Sequence, residues 1–220
     1  VIKRTELSAY RNVRKMGLIA VSLDEGDRLA WVRLTSGEDQ LIVATRQGMA
    51  IRFNETDARV LGRTARGVRA LNLEEDDIVV GMVPVMENTT VLTVSENGQG
   101  RRTDPAEYRL QSRGGKGIKN YDTQKNGPVA GVLAVGEEDD VILISDDGII
   151  IRIPVAEIST QSRYAGGVRV MRIGEGSRLV SLCRAPHEDE EEAAAESEAP
   201  AEAETPAEET ADSTGTPVEE

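Results

Sequence analysis

Residues that carry chemistry are scarce in this chain. It holds one cysteine, Cys183, and one histidine, His187. No internal disulfide is possible, which fits a reducing cytosol and makes Cys183 an expected small core residue. No Cys/His set can assemble a structural zinc, and His187, standing alone, is expected to be inert. Aromatics make up 3% of the chain, too few for platforms on which single-stranded bases stack. With one Phe and one Trp, the core falls to Val, Ile, Leu and Ala, and Trp31 is expected to pack within a strand. No apolar run approaches the roughly 18 residues of a membrane span, and there is no signal-peptide pattern. There is no GxxxxGK(S/T) phosphate loop, so ATP is not expected to bind here. Asp76–Asp77 and Asp139–Asp140 lack a histidine partner and ligand spacing, and read as turn residues rather than a metal site.

Basic residues are missing from one segment only. Residues 188–220 contain 14 acids and no Lys or Arg. The first 187 residues keep 25 of the 39 acids against all 26 basic residues, a net of +1. The net charge of −13 therefore describes a near-neutral body joined to an acidic tail. The tail is Glu, Ala, Pro, Thr and Ser with almost no bulky apolar side chain, so 187–220 reads as disordered.

What is present is a repeat of 50 residues. EDQLIVATRQGMAIRF (38–53), NTTVLTVSENGQGRRT (88–103) and EDDVILISDDGIIIRI (138–153) align, with Gly48, Gly98 and Gly148 in step and Arg52, Arg102 and Arg152 in step. GRTARGVRAL (62–71), SRGGKGIKNY (112–121) and SRYAGGVRVM (162–171) align in turn, with Arg63, Arg113 and Arg163 in step and Gly67, Gly117 and Gly167 in step. Residues 1–37 form a partial copy, about two residues shorter between VIKRT and MGLIAVSLDEGDRL. The chain begins inside a repeat and reads as a fragment.

Each unit reads as strands. LIVAT and VILIS are short and continuously apolar, as in strands buried on both faces. RQG, ENG and DDG are hairpin turns whose Gly takes positive φ. MAIRF makes a second strand, VRALNL or VRVMRI a third, and IVVGMVPV or RLVSL a fourth. Four strands per repeat point to an all-β, propeller-like fold of radial blades. The units are 1–37 (partial), 38–87, 88–137 and 138–186, followed by the tail at 187–220.

The third strand follows a basic, Gly-rich loop in every unit. The loops carry Arg63, Arg66 and Arg69; Arg113, Lys116 and Lys119; and Arg163 and Arg169. Repeated once per blade, they make a periodic cationic belt, to which Arg101 and Arg102 of the second unit are added as candidates. Duplex DNA presents about one negative charge per 1.7 Å, and a belt of cations neutralises phosphates without reading bases. Glycines would let backbone amides approach the phosphates. A β-propeller scaffold for protein partners, with an incidental belt, is the alternative from another class.

LTSGEDQ, GVRALNLEEDD, NGQGRRTDPAEY and SRGGKG, in this order and followed by an acidic tail, resemble the C-terminal domain of the DNA gyrase A protein. The resemblance covers 1–186. It implies a β-pinwheel of six hairpin-swapped blades around which duplex DNA wraps. It also implies a cytoplasmic, nucleoid-associated enzyme of two A and two B subunits that supercoils DNA, with ATP and Mg2+ taken up by the B subunits. The family's QRRGGKG box is matched by Gln111, Arg113, Gly114, Gly115, Lys116 and Gly117, with Ser112 in place of an arginine. This copy stands in the next-to-last unit, so it is a repeat equivalent of the box, and the box itself is expected upstream of Val1. The cleavage tyrosine of the family belongs to a winged-helix region outside this chain. Tyr10 and Tyr108 share a repeat position with Ala58 and Ile158, so packing is their expected role. The corresponding domain of the topoisomerase IV A protein is the nearest alternative.

Overall fold

The computed structural model describes residues Val1–His187; the tail expectation lies outside the described residues. Eleven strands follow in chain order: β1 (Gln40–Thr45), β2 (Met49–Asn54), β3 (Val79–Val85), β4 (Thr90–Ser95), β5 (Gln99–Thr103), β6 (Ile118–Lys119), β7 (Val129–Val135), β8 (Asp139–Ser145), β9 (Ile150–Pro154), β10 (Val168–Arg169) and β11 (Leu179–Pro186). Helix is confined, among the described residues, to one turn of α-helix, α1 (Thr123–Asn126), and four 3-10 turns.

The strands form three antiparallel sheets, ordered β3-β1-β2-β6, β10-β5-β4-β7 and β11-β8-β9. The apolar cores lie between and around them. Ile42, Ala44 and Val83 of the first sheet pack with Val91, Val129 and Val132 of the second. Leu92, Val94 and Val135 of the second pack with Val141, Leu143 and Leu179 around the third. A central strand is thus covered on both faces, which is why β1 reads as an unbroken apolar run rather than an alternating one. β7 packs against both β3 and β11. These strands mark the inner edge of the sheets, and β6 and β10 lie at the opposite, outer edge.

The outer strand of each four-stranded sheet comes from the following unit. β6 of unit 88–137 completes the sheet of unit 38–87, with Met49 opposite Lys119 and Ala50 opposite Ile118. β10 of unit 138–186 completes the next, with Val168 opposite Gly100. Ile2 and Val68 form the same pair as an isolated bridge. The third strand of the repeat is therefore two residues long and belongs to its neighbour's sheet, which corrects the placement of VRALNL and VRVMRI as longer strands of their own blade. The last sheet has three strands.

Three local expectations are also corrected. Residues 17–35 carry no strand: the partial copy contains no counterpart of β1 to pair with, and Trp31 is half-buried outside any ladder. Cys183 is exposed, because side chains alternate along β11 and its neighbour Leu182 takes the face packed against the core. His187 is engaged, its Nδ1 lying 2.7 Å from Oδ1 of buried Asp140.

Candidate nucleic-acid interface

The three basic loops occupy equivalent places: two lead into the outer strands β6 and β10 of the preceding sheets, and the first leads into the isolated bridge of Val68 with Ile2. The entering chain runs along the second-strand segment of the preceding unit. Leu61 N donates to Arg4 O, Gln111 N to Arg52 O and Gln161 N to Arg102 O, at 2.9, 2.9 and 2.8 Å. The third glycine of the box-like loop serves this approach. Gly117 has φ +79°, and a Cβ there would sit 2.3 Å from Ala50 O. No side chain fits so close, and positive φ itself disfavours one.

The first arginine of each loop is also occupied. Arg63 donates to Ile19 O at 2.7 Å and Arg113 to Arg69 O at 2.9 Å, and Arg163 donates to Lys119 O. The three acceptors lie at the same repeat position, so one arginine per unit ties its loop to the preceding unit. Arg113 also donates to Asp57 O at 2.8 Å. All three arginines are half-buried. In the rest of the box-like loop, Gly114 N donates to Ala70 O at 2.6 Å and Gly115 O accepts from Asn72 N at 2.9 Å.

The remaining loop cations face solvent. Arg69 and Arg169 are exposed and have no side-chain partner among the described residues. Lys119 is exposed, 3.3 Å from Asp122. Lys116 reaches Glu74 at 2.7 Å and Arg66 reaches Asp24, and in each pair both side chains are more than half exposed. These acceptors raise the pKa of Lys116 and of Arg66 by hydrogen bonding and charge. Such surface pairs hold their ends weakly and exchange readily for another anion. Two further cations, Arg59 and Arg109, are exposed and unpartnered among the described residues. They share a repeat position, and that period was the signal that could have put them among the candidates.

Arg101 and Arg102 do not face solvent, and their assignment as phosphate contacts is corrected. Arg102 is 5% exposed; it donates to Ile158 O at 2.5 Å and pairs with Glu137. Arg101 is fully buried; it donates to Ser162 O, Asn120 O and Arg163 O at 3.0, 2.5 and 2.6 Å. Its guanidinium lies 4.9 Å over the Tyr121 ring. Burial lowers its pKa, with partial opposition from Tyr108, Tyr121 and Glu107. Tyr108 is buried, its hydroxyl 2.6 Å from Asn120 Oδ1, in agreement with a packing role. Tyr10 is half-buried, with its hydroxyl 3.2 Å from Ala20 O.

The candidate interface is therefore an outer edge of three loops, each fixed by an inter-unit arginine and a close-packed glycine. Exposed cations project beside them at repeated positions, and the arrangement can neutralise a row of regularly spaced anions without base contacts. The family described as "DNA gyrase C-terminal domain, beta-propeller" matches residues 1–36, 39–86, 89–135 and 139–182. The DNA gyrase A protein of Halalkalibacterium halodurans is 57% identical over 72 residues, 33% of this chain and 9% of that protein. The DNA gyrase A protein of Haloquadratum walsbyi is 48% identical over 84 residues, 38% of this chain and 10% of that protein. The matched part of the chain spans about a tenth of these relatives' length. Among solved structures, a DNA gyrase A C-terminal domain superposes with TM-score 0.69 and 30% identity, covering 77% of this chain and 58% of that one. A C-terminal domain of DNA topoisomerase IV superposes with TM-score 0.78 and 25% identity, covering 89% and 62%.

Proposed function

Because the chain belongs to the DNA gyrase C-terminal domain, beta-propeller family, we propose that its outer edge binds and wraps duplex DNA as part of a gyrase A protein. The observation that carries this reading is the recurrence of exposed cations at one repeat position, Arg69, Lys119 and Arg169, two of them on the outer strands of successive sheets. Phosphates along a curved duplex meet such a row in register, and the favourable contacts offset the cost of bending. Arg66, Lys116, Arg59 and Arg109 add charge at neighbouring positions. Arg63, Arg113 and Arg163 act one step back, by holding the loops.

On this reading the chain does no bond chemistry. It supplies the wrapped geometry from which a cytoplasmic, nucleoid-associated enzyme of two A and two B subunits introduces negative supercoils. ATP and Mg2+ are taken up by the B subunits. This chain has no phosphate loop, and among the described residues no group of three His, Cys, Asp or Glu gathers as metal ligands. No helix among the described residues is long and apolar enough to cross a membrane. The closer superposition on a topoisomerase IV domain supports a second reading, as the corresponding domain of that enzyme's A protein, which binds DNA but wraps it poorly.

The test is duplex binding across a salt series, with a change of linking number on ligating nicked plasmid as the readout of wrapping. Affinity is expected to be indifferent to sequence and to fall steeply with salt. Replacing Lys116, Lys119 and Arg169 with alanine should flatten the log–log slope by about 0.9 for each phosphate no longer neutralised. Unchanged affinity in that variant sinks the belt. Binding without a linking-number change favours the topoisomerase IV reading.

A further inference from the structure

The second unit carries a polar patch in its core where its neighbours are apolar. Arg101 stands at the repeat position of Ile51 and Ile151, and Asn120 at that of Ala70 and Val170. Ile51 is fully buried, as Arg101 is. The slot therefore accepts isoleucine without loss of the blade. A buried guanidinium is the costlier occupant, since no carboxylate is among its hydrogen-bond partners and its Nη1 is left without one. Packing alone does not account for it.

What Arg101 adds is a grip on three carbonyls. Two belong to the basic loop of the following unit, Ser162 O and Arg163 O; the third is Asn120 O, next to the exposed Lys119. The partial copy repeats the arrangement with a different cation. Lys3 occupies the slot there, and its Nζ donates to Gly62 O at 3.3 Å, to Arg63 O, and to Ala20 O at 3.4 Å. Gly62, Arg63 and Ala20 are the repeat equivalents of Ser162, Arg163 and Asn120. Two chemically different cations thus bind the same three backbone positions. The slot alternates along the chain as Lys3, Ile51, Arg101 and Ile151.

We propose that Arg101, and Lys3 in its own unit, are positioning residues for the phosphate-binding edge. Each is a cation set beneath a basic loop, Arg101 fully buried and Lys3 half-buried, that turns the loop's carbonyls inward and fixes the exposed cations on either side of it. For Arg101 these are Lys119 and Arg169, the second of them on β10 opposite Gln99. Neither cation touches phosphate. The loop at 112–117 lies over Ile51: a Cβ added at Gly115 would stand 3.8 Å from its Cδ1. That loop is held from its own side, through the two carbonyls that Arg113 engages.

The proposal rests on the duplex-binding reading, and its test separates the two. Arg101→Ile and Arg101→Lys are made in the whole chain, isoleucine being the residue of the adjacent units and lysine that of the partial copy. Three quantities are read: hydrogen exchange of the 162–167 amides in the protein alone, melting temperature, and affinity for a fluorescein-labelled duplex of mixed sequence across a salt series. Arg101→Ile should keep or raise the melting temperature, speed exchange of the loop, and weaken duplex binding by about tenfold. Its salt slope should stay close to the parent's, because every phosphate keeps its cation, whereas removal of a phosphate ligand would lower the slope by about 0.9. Arg101→Lys should restore both exchange and affinity. Unaltered loop exchange in Arg101→Ile overturns the grip. A parent that binds, with Arg101→Ile binding equally well, overturns the positioning role alone. A slope that drops by the full value for one phosphate makes Arg101 a phosphate ligand and overturns it too. A parent that binds no duplex at all overturns the proposal together with the reading beneath it.

Discussion

Gly98 and Gly148 occupy the same turn and share a left-handed backbone, with φ of +74° and +87°, but only Gly98 has a carbonyl in its way. A Cβ on Gly98 would lie 2.2 Å from Met171 O, whereas one on Gly148 meets nothing within 4 Å. The obstructing segment is the chain following β10, whose Val170 and Met171 amides both donate to Gly98 O. Gly148→Ala is therefore expected to cost about 1 kcal/mol, the left-handed penalty alone. Gly98→Ala should cost about 3 kcal/mol or more, because the neighbouring unit must retreat. Denaturant midpoints of the two variants check the order; equal costs would mean that the close approach is soft. Asp140 supplies a pH signature. Burial opposes its ionisation, but hydrogen bonds from His187 and Arg152, with their charges, outweigh it and hold the carboxyl below its ordinary value. With a depressed folded pKa, its contribution is present above the unfolded value of about 3.9 and is lost as pH falls through the folded one. Asp140→Asn should lower stability at neutral pH and flatten the decline below about pH 4; an unchanged acid limb contradicts this. At this scale the sequence was an uneven guide. The turn glycines were legible because a tight hairpin leaves few alternatives to glycine. Arg101 was not, since an arginine in a strand looks like a surface cation until it is laid over Ile51 and Ile151. His187 was misjudged because its partner, Asp140, is far away in sequence.

At the scale of elements, period and turn chemistry located the hairpins β1–β2, β4–β5 and β8–β9, because each is local and closes on itself. The outer strands were harder to place from the repeat. Two residues carry too little pattern to define a strand, and periodicity alone does not say which unit's sheet a segment joins; the exchange was implied only through the gyrase resemblance. The loops were visible as basic and glycine-rich, but not the division of labour within them. An arginine that ties units, such as Arg63, and an arginine that faces solvent, such as Arg69, have the same one-letter signature. Gly117→Val tests the exchange. Its Cβ would meet Ala50 O at 2.3 Å and Ala50 C at 2.8 Å, which should expel β6 from the first sheet. Amides of both β2 and β6 are then expected to lose protection against hydrogen exchange together. Loss confined to β6 would show that β2 does not depend on its borrowed neighbour.

The whole chain carries its excess negative charge in one segment: a body of net +1 and 14 acids in 188–220. If the outer edge binds duplex as proposed, acids carried on the same chain are expected to compete with DNA phosphates for its cations, and salt to screen both attractions. Deleting 188–220 should tighten duplex binding at low salt, with a gain that shrinks as salt rises; equal affinities at low salt would leave the tail a solubilising role only. The exchanged strands have a different consequence, in the order of synthesis. On a ribosome the β1–β2 hairpin emerges about 60 residues before Ile118–Lys119, the strand that completes its sheet. Until then β2 offers an open row of backbone donors and acceptors, the kind of edge on which nascent chains aggregate. Each unit that emerges closes the one before it and opens its own edge, so the unfinished edge moves along the chain as translation proceeds. Among the described residues it comes to rest on β9, where no strand lies beyond the exposed Ile150.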